Sequence, residues 1–278
     1  MTTITVPRPS ASAAHRTSHA FSDAITMLRR NLLHIIRYPG LSIFTIGGPV
    51  VILLLIVFVF GGTLGAGLPG VKPADGREAY LAYVMPGILL ITIAGTVSGV
   101  AITVAMDMTE GITARFRTMA ISRGAVLAGH VLGNTIQAVI AVALVLGVGV
   151  LVGFRPTATP IEWLEVAGIV VLISFALSWI GVGMGMQTKT VETASNLPII
   201  LTVLPLLGSG FVPTASMPGW LQWFAQNQPF TPFIETVRGL LLGTPLGWNP
   251  LLAVGWSIVI ALGGYIWSMA IYNRKSVR

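Results

Sequence analysis

No cysteine occurs in the 278 residues, so disulfides have no part in the architecture. Charge is nearly as scarce: Asp, Glu, Lys and Arg make up 9% of the chain, against roughly 25% in soluble domains. With 54% hydrophobic residues and a mean hydropathy of +0.84, a water-soluble fold would leave more apolar surface than one core can hide. Short alternating segments are also missing, and continuous apolar runs stand in their place, which excludes a transmembrane β-barrel. No Gly-Lys dipeptide occurs, so the chain carries no P-loop. No span carries a mid-membrane acid or base of the kind a proton- or sodium-coupled pump uses. The one intramembrane serine setting, Gly208-Ser209-Gly210, has no histidine after it to act as base, so hydrolase chemistry is not supported. His15 and His19 have helical metal spacing but no third ligand nearby, and no metal site is expected.

The predicted fold is therefore all-α: a polytopic membrane protein with six transmembrane helices at about 41–64, 81–106, 125–152, 166–186, 196–211 and 251–272. Residues 1–21 read as a disordered cytoplasmic tail. Residues 22–40 read as an amphipathic interface helix, with Ile25, Leu28, Leu32, Ile35 and Ile36 on one face and Arg29, Arg30 and Arg37 beside it. Residues 273–278 form a basic cytoplasmic tail. The fifth span is short for a bilayer and contains Pro198 and Pro205. Two Gly-x-x-x-Gly pairs, Gly95/Gly99 and Gly181/Gly185, are weak signals of close helix contact. With both termini inside, twelve Lys and Arg residues lie on the cytoplasmic side and four outside, as the positive-inside rule requires. The net charge of +7 fits cytoplasmic loops and anionic lipid better than nucleic acid.

Before the last span, Trp220, Trp223, Phe224, Phe230 and Phe233 suit a membrane interface, and the apolar run 234–242 is too short to cross. A pair of short re-entrant or interfacial helices forming an external gate is expected there. Thr45, Thr92, Thr96, Thr202 and Ser209 are the polar candidates for a substrate path, with helix-packing hydroxyls the plainer alternative.

The most charged run lies between spans two and three, from Asp107 to Arg123. Ile112, Phe116 and Met119 recur at helical spacing, flanked by Arg115 and Arg117. An apolar knob with basic shoulders fits docking onto an acidic protein groove, and it fits anionic lipid equally.

The ordered fragments RNLLHIIRYPG, YVMPGILL, EGITARFRTMAISR and NQPFTPFIETVRGLLLG resemble those of type-2 ABC exporter permeases, especially the daunorubicin/doxorubicin-resistance type. The resemblance implies a non-enzymatic transport subunit of the bacterial plasma membrane, paired with a second permease copy or a sister permease. It implies a cytoplasmic ATPase dimer that holds ATP and Mg, and an amphipathic drug, antibiotic or lipid-like substrate. Glu110, Gly111, Arg115, Phe116, Arg117 and Arg123, with Arg29, Arg30 and Arg37, are the coupling residues it implies. The loop opening Asp-Met-Thr-Glu departs from the wider superfamily's pattern. A polysaccharide or glycolipid export permease and a non-transporting scaffold are the competing readings.

Overall fold

A computed structural model describes residues 39–68, 72, 75–109 and 123–275, and every regular element among them is helical. The tail 1–21, nearly all of the interface helix 22–40, the loop residues 110–122 and the terminal residues 276–278 lie outside the described residues.

Pro39 opens α1 (Pro39–Leu55), so the Pro39-Gly40 pair begins the first long helix. Proline suits a first turn, where its missing N–H has no partner to lose. The helix runs through Pro49, widens into a π turn (Ile56–Phe60) and resumes as α2 (Gly61–Ala66). After a short connection comes α3 (Gly76–Thr109), longer at both ends than the predicted span 81–106. Helix α4 (Arg123–Val152) returns antiparallel to it, and α5 (Pro160–Gln187) starts at a full capping box. There the Thr159 hydroxyl accepts from the Glu162 N–H while the Glu162 carboxylate accepts from the Thr159 N–H, so two orphan donors are satisfied reciprocally. The last long helix is α10 (Asn249–Lys275).

Among the described residues, five helices are thus long and apolar enough to cross a membrane. The predicted fifth span differs from the rest. Residues 196–211 do not form one helix; the chain makes α6 (Val191–Asn196), α7 (Ile199–Val203) and then turns through Val212. Pro198 and Pro205 each remove a backbone donor and clash with the preceding turn, and Gly208 and Gly210 weaken helix propensity further.

The broken segment nevertheless runs most of the length of the bundle. Just before it, near the end of α5, Gly185 meets Ala101 and Val104 of α3; at the segment's far end, Gly210 meets Gly87, and Tyr80 donates to the Phe211 carbonyl at 3.1 Å. Those levels on α3 are separated by about 20–35 Å of helix at 1.5 Å per residue. The direction of α10 requires such a return. Gly264 meets Trp179 and Ile180, and Gly183 meets Trp267, so α5 and α10 run the same way.

Two further helices precede α10: α8 (Gly219–Asn227) and α9 (Phe230–Leu242). Helix α8 is mostly exposed, whereas α9 is buried against α3, α5 and α10. A left-handed Gly243 ends α9, and the Thr157 N–H satisfies its Leu241 carbonyl at 2.9 Å.

Helix α3 is the hub, packing against α1, α2, α4, α5, α6, α7 and α9. Surrounded by hydrocarbon, Leu against Leu gains little over Leu against lipid, so close approach and interhelical hydrogen bonds carry the specificity. The two predicted glycine pairs differ here. A Cβ at Gly185 would stand 2.4 Å from the Ala101 carbonyl oxygen, and one at Gly181 would stand 2.6 Å from Val100 Cγ1. At Gly95 and Gly99 nothing among the described residues lies within 4 Å. The outer faces of α1, α4 and α10 carry exposed apolar side chains such as Val51, Leu144 and Ile266, as suits a lipid environment.

Candidate functional site

Polar chemistry inside the bundle falls into two groups, one toward the 110–122 loop and one at the opposite end. Nearest the loop, His130 Nε2 on α4 lies 3.2 Å from Asp107 Oδ2 on α3. The contact is an ion pair when the imidazole is protonated. The helix continues through Asp107 to Thr109, so this acid belongs to α3 and not to the loop that the charge pattern suggests. The pair therefore joins the two helices that bracket the loop.

One turn further along α4, the Asn134 side-chain amide donates to Ser178 Oγ on α5 at 2.8 Å and to Thr96 Oγ1 on α3 at 3.3 Å. Ser178 in turn donates to the Ser174 carbonyl at 2.6 Å. This buried seam ties α3, α4 and α5 together through side chains while every helix keeps its own backbone ladder. Asn134 Oδ1 and Ser174 Oγ have no hydrogen-bond partner among the described residues.

At the opposite end, side chains serve the backbone instead. Turns 204–212 lack a continuous helical ladder, keeping turn bonds such as Leu207 N–H to the Leu204 carbonyl at 3.1 Å, and in an apolar setting the backbone draws on side-chain donors as well. Gln228 Nε2 donates to the Leu204 carbonyl at 3.0 Å, Arg238 Nη2 to the Ser209 carbonyl at 2.7 Å, and Tyr80 to Phe211 as described above. Arg238 Nη2 also reaches the Tyr83 carbonyl at 3.1 Å, and its guanidinium stacks 4.1 Å from the centre of the Tyr83 ring. Its Nη1 pairs with Glu235, one turn earlier on α9. The flat, forked guanidinium suits this role because it donates in several directions while one face lies on an aromatic ring.

The residues singled out in the sequence are distributed as follows. Thr92 and Thr96 are buried on α3, and each hydroxyl donates to a carbonyl of its own helix, Ile88 and Ile93 respectively. Thr202 does the same with Ile199, and Thr45 is half-buried on α1. Ser209 is buried in the turns, with its hydroxyl lacking a partner among the described residues. Of the five aromatics, Trp220, Trp223 and Phe224 on α8 are exposed. Phe230 and Phe233 on α9 are buried in the core, edge to face with each other. They pack inside because α9 inserts into the bundle instead of lying over it. Arg123 is the first residue of α4. The remaining coupling residues, Glu110, Gly111, Arg115, Phe116 and Arg117 with Arg29, Arg30 and Arg37, lie outside the described residues.

Sequence reading missed Arg238, Tyr83 and Gln228. The available signal was an arginine within the apolar run 234–242, set behind Pro229 and Pro232. Among the described residues, no group of three or more His, Asp or Glu side chains converges on a metal position.

A family model described as ABC-2 type transporter matches residues 23–242. Over 260 residues the chain is 27% identical to the daunorubicin resistance ABC transporter permease protein DrrB1 of Streptomyces coeruleorubidus, covering 92% of this chain and 88% of that protein. Over 230 residues it is 26% identical to the probable doxorubicin resistance ABC transporter permease protein DrrC of Mycobacterium tuberculosis, covering 79% of this chain and 81% of that protein. A match that takes in four of the five long apolar helices, the charged loop and the buried helix α9 establishes that the chain belongs to the ABC-2 type transporter family.

Proposed function

We propose that the chain is the membrane-spanning permease subunit of an ATP-driven exporter. It moves an amphipathic drug, antibiotic or lipid-like substrate out of a bacterial cell across the plasma membrane. Family membership over 23–242 carries this reading, and the drug-resistance names of the relatives support the substrate class. Energy enters from a separate cytoplasmic ATPase dimer holding ATP and Mg, since the chain has no P-loop. A second permease copy or a sister permease completes the transporter.

In this reading the chain crosses six times, with the broken segment 191–212 as the fifth crossing and both termini cytoplasmic. The distribution of Lys and Arg supports that orientation. The 110–122 loop then faces the ATPase, with Phe116 as the docking knob and Arg115 and Arg117 pairing with acids on the partner. The Asp107–His130 contact sits at the base of that loop. A push on the loop would move α3 and α4 together and shear the seam around Asn134. The path for cargo follows α1, α3 and the broken segment, where Ser209 is the polar side chain with hydrogen-bonding capacity to spare. Trp220, Trp223 and Phe224 shape the outer exit.

ATP-dependent drug uptake into inside-out vesicles that hold this chain and its ATPase tests the reading. Uptake is expected in the parent. Phe116→Ala or Arg117→Glu is expected to abolish it while the ATPase stays bound. Undiminished uptake in both variants would sink the loop assignment.

A further inference from the structure

We propose that Arg238 is a positioning residue for transport: it clasps the non-helical turns 204–212 to α3 and thereby holds the outer end of the path shut. The direction of the path rests on the export reading above; the clasp itself is read from the geometry.

Three elements meet at one guanidinium. Arg238 stands on α9, donates to the Ser209 carbonyl in the turns and donates to the Tyr83 carbonyl on α3. Beside it, Gly210 and Gly87 touch backbone to backbone: a Cβ on Gly87 would stand 2.8 Å from Gly210 Cα. No side chain separates the turns from α3 there, so the closure is held by donors reaching across it. Tyr80 and Gln228 add one hydrogen bond each to the same turns, at Phe211 and Leu204. Of the three donors, only Arg238 carries a charge; Tyr80 spans the closure from α3 itself, whereas Arg238 reaches both sides from α9.

The junction is also incompletely satisfied. Ser209, Gln228 and Arg238 are 4%, 5% and 7% exposed, yet Ser209 Oγ, Gln228 Oε1 and Arg238 Nε have no partner among the described residues. A purely structural joint has little reason to keep two acceptor-capable oxygens and a donor idle in a low-dielectric interior. Idle groups raise the energy of the closed arrangement relative to one in which water or a polar part of the cargo reaches them. Arg238 holds the joint closed while its neighbours favour opening, so a modest push can open it. Glu235, whose side chain is 29% exposed, keeps the cation neutralised in both arrangements.

The absence of native cysteine makes the test direct. Ser209→Cys places a single thiol where the hydroxyl makes no bond, so the reporter removes no contact. The full chain with its ATPase, in right-side-out vesicles without ATP, is treated with a membrane-impermeant maleimide. The background is the parent, Arg238→Lys, or the paired Arg238→Met and Glu235→Gln, which keeps the stem's volume and leaves no carboxylate unpaired. A second reporter, Ser268→Cys, sits fully buried where its hydroxyl reaches the Trp179 carbonyl.

The paired variant is expected to label Ser209→Cys at least about ten-fold faster than the parent, the population change that losing one charge-assisted hydrogen bond brings. Arg238→Lys, which keeps the charge but not the fork, should fall between them. Ser268→Cys should stay unreactive in all three. An unchanged rate at Ser209→Cys overturns the clasp. So does equal acceleration at both reporters, which would show general loosening, and so does acceleration seen only with reagent on the inner face. Labelling needs neither cargo nor ATP, so a failure to transport any drug sinks the export reading without touching this result.

Discussion

The two ends of the bundle solve the same problem in opposite ways. Toward the 110–122 loop, α3, α4 and α5 are unbroken, and Asn134, Thr96 and Ser178 bond one another or their own helices. At the other end the backbone is broken, and Tyr80, Gln228 and Arg238 supply the donors that a helix would have supplied. Side chains that bond other side chains can be replaced in pairs by apolar groups of similar shape. Side chains that satisfy backbone cannot, because the carbonyl remains. The first end should tolerate substitution and the second should not.

The sharpest way to break this comparison is Arg238→Ala alone. The substitution takes a charged donor from two carbonyls, and a buried polar group left without its partner costs about 1–3 kcal/mol each; the loss of the partly exposed Glu235 partner adds to this. The expected result is a large loss of folded protein in detergent, seen as a lower Tm and poor recovery by size-exclusion chromatography. A variant as stable as the parent would show that the turns find other donors.

Next in size is the contrast between the glycine pairs. Gly185→Val would drive a side chain into the Ala101 carbonyl, and overpacking of this kind costs about 1–3 kcal/mol. Gly95→Ala meets open space and should change Tm little or raise it slightly, since alanine is the better helix former. If Gly95→Ala proves as damaging as Gly185→Val, a surface outside the described residues covers that face.

The smallest effects belong to the seam. Asn134→Leu should cost about 0.6–1.7 kcal/mol, the range measured for interhelical hydrogen bonds in lipid. Thr92→Val should stay within about 0.5 kcal/mol, because its hydroxyl serves only the carbonyl of its own preceding turn. Thermal unfolding of the two variants side by side checks both. A loss at Asn134 as large as that at Arg238 would erase the distinction between the two ends.

How legible each part was follows from the range of the forces involved. The long helices containing α1, α3, α4, α5 and α10 are visible as continuous apolar runs, because crossing hydrocarbon is a local demand on about 20 successive residues. The weakness at 196–211 is visible too, since Pro198 and Pro205 act on their own turns. The burial of Phe230 and Phe233 was not, because Trp220 and Phe233 look alike to any scale of residue preference. Only the docking of α9 between α3, α5 and α10 separates them. The same holds for the candidate site. Thr92 and Thr96 were identifiable as intramembrane hydroxyls, but whether such a hydroxyl faces a path or its own helix depends on rotamer and neighbours.

The sequence alone determined that this protein is helical, lies in a membrane and is built without disulfides or a nucleotide loop. Those properties follow from composition and from the cost of bringing backbone and charge into hydrocarbon. Only the tertiary structure decided that Arg238 reaches from α9 to Tyr83 and Ser209, 155 and 29 residues away along the chain. Only the tertiary structure paired Gly87 with Gly210, and Asp107 with His130. The Arg238–Ser209 contact arises because a carbonyl in a broken helix must find a donor wherever packing brings one. That search runs through space and leaves no period in the sequence.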